Sequence, residues 1–340
     1  MDADDIFEEP AKQEFDRWGR YLLPSPHTGN KRPFTRVTTF ARTIVDSYAL
    51  NLWQQRMTAK GMALRSDLVA MASTMDVTRD KDRLDDLVSQ AKDAAGYKVA
   101  ANRGTAVHSF TEGLDKGQLD LEEIPQDQRA DISAYQECMT AHKLSIVPEL
   151  IERRVCLPQY EVAGKFDRVL KEADGSYVIG DVKSGKNVTY GWLEISIQLA
   201  CYARGINMCG VWDARNEQWM PVPKVRTDYA VVIHIPAGTG SCTMYRLDIQ
   251  AGWEAAQLCA VVREWRKRTG LAKAYDGPGA PQSAVEAPEG LEPWEGRFRA
   301  VQSKQDAARL YQEARKTFPE GSRELASLVT IGRKALGLGS

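Results

Sequence analysis

The spacing of apolar residues changes at about residue 145, and this change limits the folds that the chain can adopt. Before it, apolar residues recur at helical intervals; after it, short runs rich in Val, Ile and Tyr alternate with turn signals. The sequence predicts helices over residues 38–63, 64–75, 79–95, 103–116 and 127–144. It predicts strands over residues 147–157, 161–171, 176–183, 228–236 and 242–249, with helices over 189–208 and 251–268. This order favours an α/β (α+β) fold with a mixed central sheet of about five strands flanked by helices.

Composition shifts divide the chain into five predicted segments. The first stretch is polar and contains Pro24, Pro26 and Pro33, which favours a loosely ordered arm. Clustered Gly and Pro between residues 270 and 292 indicate a flexible linker. The segments are a polar N-terminal arm (1–35), a helical N-terminal part (36–145), a core holding the strands (146–269), the linker (270–292) and a small helical C-terminal appendage (293–340).

The overall charge and the cysteines exclude several classes of protein. The formal net charge of the 340-residue chain is −1, so any contact with nucleic acid must come from a local basic patch. The six cysteines lie far apart with no CxxC pair, which argues against a zinc or iron–sulfur site and favours free thiols in a reducing compartment. The acidic start and the absence of a long apolar run predict a cytoplasmic protein with no membrane span.

Two carboxylates at predicted strand ends are the first candidate site. Asp167 ends the sequence GKFD, and Asp181 follows the apolar run that begins at Tyr177. Two neighbouring strands can place both carboxylates at one end of a sheet, where oxygen ligands would hold Mg²⁺. The alternative is that both acids are solvated surface groups, but a carboxylate at the end of a buried strand needs a partner.

Five further side chains have spacings that place them near these acids. Lys183 shares strand parity with Asp181, so both side chains point to one face; a structural ion pair is the alternative. His108 and Glu112 are four residues apart on a predicted helix, as are Gln198 and Tyr202 on the helix after the Asp181 strand. An imidazole would add a ligand compatible with Mn²⁺.

The order of these residues resembles the RecB-like branch of the PD-(D/E)xK nuclease superfamily. That branch includes the nuclease domains of RecB and AddAB and the CRISPR-associated RecB-like exonucleases. The resemblance covers about residues 100–250, where Phe166 stands in place of the superfamily's proline. The matching motifs are GTAVH (104–108), GKFD (164–167), GDVKS (180–184) and QLACYA (198–203).

The resemblance implies a restriction-endonuclease-like fold and a role for each matching residue. It implies catalytic roles for Asp167, Asp181, Lys183, Gln198 and Tyr202. It implies a Mg²⁺ or Mn²⁺ site formed by His108, Asp167, Asp181 and the carbonyl of Val182. Glu112 and Glu152 are additional candidates. The four-cysteine iron–sulfur clasp of some members is not expected, since no cysteine precedes Cys138.

The sequence then predicts a function and a set of partners. The expected activity is metal-dependent hydrolysis of DNA phosphodiesters, as an exonuclease in recombination, repair or processing, with Lys165, Arg168 and Lys186 contacting DNA. The resemblance and the chain's size favour a phage-encoded protein acting in the host cytoplasm. The alternatives are a module that binds DNA ends or a recombination partner, and an endonuclease. The C-terminal helices are candidates for docking a single-strand annealing, replication or recombination protein.

A near match to a nucleotide-binding loop is rejected. The stretch from Gly180 to Asn187 approaches the P-loop pattern GxxxxGK[ST], but Asn187 lacks the hydroxyl that binds Mg²⁺. Asp181 would also place negative charge beside the phosphates. ATP binding is therefore not expected here.

Overall fold

The structure is a computed structural model that describes residues 15–272, 291–318 and 322–336. The chain forms two compact units, Met1–Thr269 and Gly270–Ser340. Residues 1–14 of the predicted arm and 273–290 of the predicted linker lie outside the described residues. None of the helices in the described part of the chain combines the length and apolarity that a membrane span needs.

The described residues of the first unit contain eleven strands and eight α-helices. The strands are β1 (Tyr21–Pro24), β2 (Lys31–Arg36), β3 (Ser145–Ile151), β4 (Arg154–Leu157), β5 (Val162–Lys165), β6 (Arg168–Lys171), β7 (Tyr177–Lys183), β8 (Val211–Asp213), β9 (Gln218–Met220), β10 (Tyr229–His234) and β11 (Thr243–Asp248). The helices are α1 (Val37–Ala41), α2 (Tyr48–Leu64), α3 (Ser66–Ala72), α4 (Lys81–Ala94), α5 (Tyr97–Asp115), α6 (Gln126–Ala141), α7 (Trp192–Cys209) and α8 (Ile249–Arg266). The mixed α+β class predicted from the sequence is confirmed.

The strands form two mixed sheets, whereas the sequence predicted one. The five-stranded sheet has the order β11-β10-β7-β6-β3, in which β10 and β7 are parallel and the other pairs are antiparallel. The six-stranded sheet has the order β1-β2-β5-β4-β8-β9, with only β2 and β5 parallel. The strands β8 and β9 were not predicted, because three residues are too few to show an alternating pattern.

The interpretation of residues 1–35 as a loose arm is wrong where the structure describes them. β1 and β2 form an antiparallel hairpin that pairs with β5. Leu23 and Phe34 bury their side chains against Trp212 in a small core on this sheet. Pro24 ends β1, Pro26 and Gly29 lie in the turn, where Gly29 has a φ of 70°, and Pro33 lies within β2 opposite Leu22.

Two long predicted strands each pass from one sheet to the other. The predicted strand at 147–157 divides into β3 and β4, and the one at 161–171 divides into β5 and β6. The two breaks face each other, since Glu152 N donates to Asp167 O (2.8 Å) and Phe166 N donates to Arg153 O (3.1 Å). Glu152 adopts the left-handed backbone conformation (φ 55°) at its break. Glu152 and Asp167, both candidates from the sequence, therefore lie where the chain changes sheets.

Helix α7 forms the centre of the main core. Ten of its 18 residues are buried, because its sequence is apolar on most of its circumference. It packs on α8, α1, β4 and β7, so it contacts strands of both sheets. Close packing with β4 requires Gly205, where a Cβ would lie 2.4 Å from a methyl of Val155. The residues of α7 thus have fixed positions relative to β4 and β7.

The described residues of the second unit form three short helices: α9 (Leu291–Arg299), α10 (Lys304–Thr317) and α11 (Arg323–Ala335). They enclose a small core that includes Trp294, Phe298 and Leu328. Helix α10 begins at Ser303, whose hydroxyl accepts from Asp306 N (3.1 Å), and α11 begins in the same way at Ser322.

Candidate active site

Asp181 is a buried carboxylate with an incomplete set of partners. Its side chain is 1% exposed within β7, and among the described residues its oxygens have no hydrogen-bonding partner other than the Lys183 ammonium. The ammonium of Lys183, on the same face of the strand, lies 2.5 Å from Oδ2 as an ion pair. A carboxylate removed from water normally accepts several hydrogen bonds, so this one retains unused capacity to bind a cation.

Asp167 and His108 lie beside this pair. Asp167 Oδ2 accepts a hydrogen bond from Val182 N (2.8 Å), which ties the β5–β6 break to the strand that carries Asp181. The same oxygen lies 3.6 Å from His108 Nδ1, on α5. Three separate elements therefore bring a carboxylate, an imidazole and a second carboxylate together. Val182 is predicted to bind the metal through its carbonyl; the contact that the structure shows is the hydrogen bond from its N–H to Asp167.

The charges of these groups follow from their surroundings. Burial raises the pKa of Asp181 above its ordinary value, and the neighbouring Lys183 only partly opposes this. Burial acts against charge on Lys183 too, but the carboxylates of Asp181 and Asp167 outweigh it and raise the pKa, so the side chain stays an ammonium. Burial lowers the pKa of His108 despite Asp167, which favours the neutral imidazole that binds metal ions.

Glycines in two of the sequence motifs allow the elements of the site to approach each other. A Cβ on Gly104 of α5 would lie 2.6 Å from Ser184 Oγ, just beyond Lys183. A Cβ on Gly164 of β5 would lie 2.6 Å from Tyr202 Cε1 of α7. A side chain at Gly164 would push the Tyr202 ring of α7 away from β5, whereas at Gly104 the Ser184 hydroxyl can rotate aside.

Gln198 and Tyr202 form a contact of their own on α7. Gln198 Nε2 donates to the Tyr202 hydroxyl (3.1 Å), and the Tyr202 ring packs against Phe166, next to Asp167. Burial raises the pKa of the Tyr202 phenol well above its ordinary value, so it stays neutral. The pair thus packs against the residue that precedes Asp167, at the break between β5 and β6.

The additional acidic candidates have cationic partners. Glu152 forms an ion pair with Lys165 across the β4–β5 end of the sheet. Burial raises the pKa of Glu152, although its pairing with Lys165 opposes the change. Glu112 lies 2.5 Å from Lys116 Nζ, one turn along α5. Lys165, predicted to contact DNA, is therefore already paired with a carboxylate while about a third of its side chain stays exposed.

The prediction that Arg168 contacts DNA is wrong. Its side chain is 2% exposed and is ion-paired with Asp115 of α5. It also donates to the Tyr135 hydroxyl (2.8 Å) and to Thr111 Oγ1 (3.2 Å). Strand parity alone cannot reveal this network, because its partners come from α5 and α6, more than thirty residues away in the chain.

Lys186, the remaining predicted DNA contact, lies in an ordered and exposed loop. The loop follows Lys183 and is held by Gly185 O, which lies 2.7 Å from His234 Nε2. Asn187 Oδ1 accepts from Thr189 N (2.8 Å), and the intervening Val188 is buried. Lys186 is therefore held at the surface beside the candidate site.

The types of side chain at this site suit a divalent cation, but their present arrangement does not yet surround one. Two carboxylates, a neutral imidazole and nearby backbone form the oxygen-rich donor set that Mg²⁺ or Mn²⁺ prefers, and Asp181 has unused oxygens. Within the described residues, no three His, Cys, Asp or Glu side chains already surround a common point. Asp181 is instead neutralised by Lys183.

Comparison with known proteins does not assign a family. No protein-family model matches the chain, and no curated protein matches it. The function must therefore be argued from the residues and geometry of this site.

Proposed function

We propose that this protein is a metal-dependent deoxyribonuclease of the RecB-like PD-(D/E)xK type, with a restriction-endonuclease-like core formed around the five-stranded sheet. The observation that supports this most is the buried Asp181 carboxylate, whose only hydrogen-bonding partner among the described residues is Lys183 Nζ at 2.5 Å. A structural ion pair would gain stability from added hydrogen bonds, whereas a cation site must keep carboxylate oxygens available. Asp167 and the neutral imidazole of His108, both of which can bind a divalent cation, lie next to it.

Each residue has a distinct part in this proposal. Asp167, Asp181 and His108 hold Mg²⁺ or Mn²⁺, which when bound polarises the phosphodiester and makes water a better nucleophile. Lys183 remains protonated, so it can orient the attacking water through a hydrogen bond and offset negative charge that builds on the phosphate oxygens. Gln198 and Tyr202 hold the backbone before Asp167 in place.

The first experiment is DNA cleavage by the full chain. Linear and circular plasmids are incubated with Mg²⁺ or Mn²⁺ and wild type, Lys183→Ala or Asp181→Ala. We expect wild type to degrade linear DNA and both variants to lose about 10²–10³-fold in rate. Loss of linear but not circular DNA selects exonuclease action. Intact linear DNA with both metals would contradict the nuclease proposal.

The β6–β7 hairpin offers matched controls. Lys171 and Asp174 carry the same charges as the site residues but are exposed at the opposite end of the same hairpin. Lys171→Ala and Asp174→Ala should cleave DNA at the wild-type rate. Equal losses in the controls and the site variants would indicate damage to the fold rather than to the site.

A second experiment measures the cation without DNA. A ligand that binds only the folded state at 100 times its Kd adds about 2.7 kcal/mol to the free energy of unfolding. We expect Mn²⁺ to raise the Tm of wild type and of Asp174→Ala, and to leave the Tm of Asp181→Ala unchanged. If neither metal changes the Tm of wild type, the proposed cation site is wrong.

A further inference from the structure

Helix α6 is fixed against the loop between β10 and β11. The buried carboxylate of Asp131 accepts hydrogen bonds from Gly238 N (2.6 Å) and Gly240 N (2.7 Å). Two turns further along the same side of the helix, Cys138 meets Cys242, the residue just before β11. The two cysteines therefore belong to elements that already have a defined separation.

The contact between the two cysteines is direct. The Cys138 thiol donates a weak hydrogen bond to the backbone oxygen of Cys242, and its sulfur lies 3.8 Å from that oxygen. Both residues are half-buried, so a small solute can reach them, whereas Cys201 and Cys259 are fully buried. Free thiols in contact on two rigid elements need little movement to form a bond.

The surroundings of the two sulfurs differ, which assigns them separate roles. His142 Nδ1 lies 2.8 Å from Cys138 O, so it carries the proton and donates to that carbonyl. The same nitrogen lies 3.7 Å from Cys138 Sγ, so the imidazole is the polar neighbour of this sulfur. Burial, followed by the contact with Cys138, raises the pKa of Cys242 and keeps it a thiol.

We infer that Cys138 and Cys242 are an oxidation site at which hydrogen peroxide forms a reversible disulfide between α6 and β11. The Cys138 thiolate attacks one peroxide oxygen, the O–O bond breaks, and hydroxide leaves, giving a sulfenic acid. Cys242 sulfur then attacks Cys138 sulfur, and its proton leaves with the sulfenic oxygen as water. The sulfurs lose two electrons in total, and the peroxide is reduced to two waters. A dithiol restores both thiols.

The bond would restrain a loop that also holds the Lys183 end of β7. Ile235 N donates to Lys183 O (2.8 Å), and Ala237 N donates to Ser184 O (3.1 Å). Oxidation is therefore expected to slow amide hydrogen exchange across residues 235–242. This inference does not depend on the nuclease proposal, because it concerns residues and chemistry outside the candidate active site.

The experiment treats the full chain with hydrogen peroxide and maps cross-links by mass spectrometry without reduction. Trypsin places Cys138 and Cys242 on separate fragments, 130–143 and 227–246, each with one cysteine. We expect these fragments to be linked and to separate after dithiothreitol. We expect Cys242→Ser to accumulate a sulfenic acid at Cys138 that dimedone traps, and Cys138→Ser to form neither product.

Two buried or half-buried thiols provide controls. Cys209, which contacts Cys156 on the other sheet, and the fully buried Cys201 are changed singly to Ala. Both variants should form the Cys138–Cys242 bond at the wild-type rate. The inference is overturned if peroxide oxidises other cysteines but does not link these two fragments. It is also overturned if dimedone does not label Cys138 in the Cys242→Ser variant.

Discussion

The ion pair between Arg168 and Asp115 offers the sharpest test of how the first unit is held together. The side chains are 2% and 6% exposed, and the Tyr135 hydroxyl bridges them by donating to Asp115 (2.8 Å) and accepting from Arg168 (2.8 Å). Arg168 follows Asp167 directly, and Asp115 lies two turns beyond His108 on α5. The pair therefore fixes the helix that carries the imidazole to the strand that follows the carboxylate.

Removing one partner leaves the other charge buried. Asp115→Asn leaves the Arg168 guanidinium with neutral acceptors only, and loss of one member of a buried pair costs about 3–5 kcal/mol. A domain's whole free energy of unfolding is about 5–15 kcal/mol, so the change is a large part of it. Arg168→Met should cost a similar amount, since it leaves the carboxylate buried. Making both changes removes both charges, so the double variant should be more stable than either single variant.

Urea unfolding followed by far-UV circular dichroism measures these differences. The matched control is Arg226→Met, which removes an arginine that makes two hydrogen bonds to Asp228 (3.1 and 2.9 Å) on the protein surface. Water solvates the released Asp228, so the control should unfold close to wild type. The buried-pair reasoning would be refuted if the double variant lost as much free energy of unfolding as the two single variants together. It would also be refuted if each single variant lost as little as the control.

Two further changes test the packing around the site and the loop. Gly164→Ala places a Cβ 2.6 Å from the Tyr202 ring and should cost about 1–3 kcal/mol by urea unfolding, while Gly185→Ala, whose nearest atom is 3.9 Å away, serves as control. An unchanged midpoint for Gly164→Ala would show that α7 can move away from β5. Asp131→Ala removes the acceptor of two loop amides and should speed hydrogen exchange in residues 235–242; protection equal to wild type would mean that other contacts hold the loop.

Patterns that depend on local geometry could be predicted from the sequence. The alternation of side chains along a strand predicts that Asp181 and Lys183 share a face, and the ion pair between them is in keeping with this. The turn at residues 173–175 follows from Asp-Gly, and Gly175 has a φ of 85° between β6 and β7. Both inferences need only neighbouring residues.

Features that depend on distant partners could not be predicted in this way. Arg168 follows Asp167 in the chain, and this position beside the site predicts a DNA contact; its burial depends on Asp115 and Tyr135, which sequence order does not reveal. The hairpin at residues 21–36 has strands of four and six residues, and their pairing with β5 gives them stability that local propensity cannot supply.

The division of each long strand between two sheets explains why the candidate site lies where it does. A residue within a continuous ladder has both backbone groups in hydrogen bonds to its neighbours and a side chain packed on one face. At the break between β5 and β6, Asp167 leaves the ladder, so its carboxylate can turn to accept from Val182 N and face His108. Glu152, opposite, holds a left-handed backbone that a non-glycine residue adopts at a cost of about 1–3 kcal/mol. That cost is offset by the Glu152–Lys165 ion pair and by the hydrogen bond to Asp167 O, so the break stays at this position and holds the Asp167 carboxylate beside Val182 N and His108.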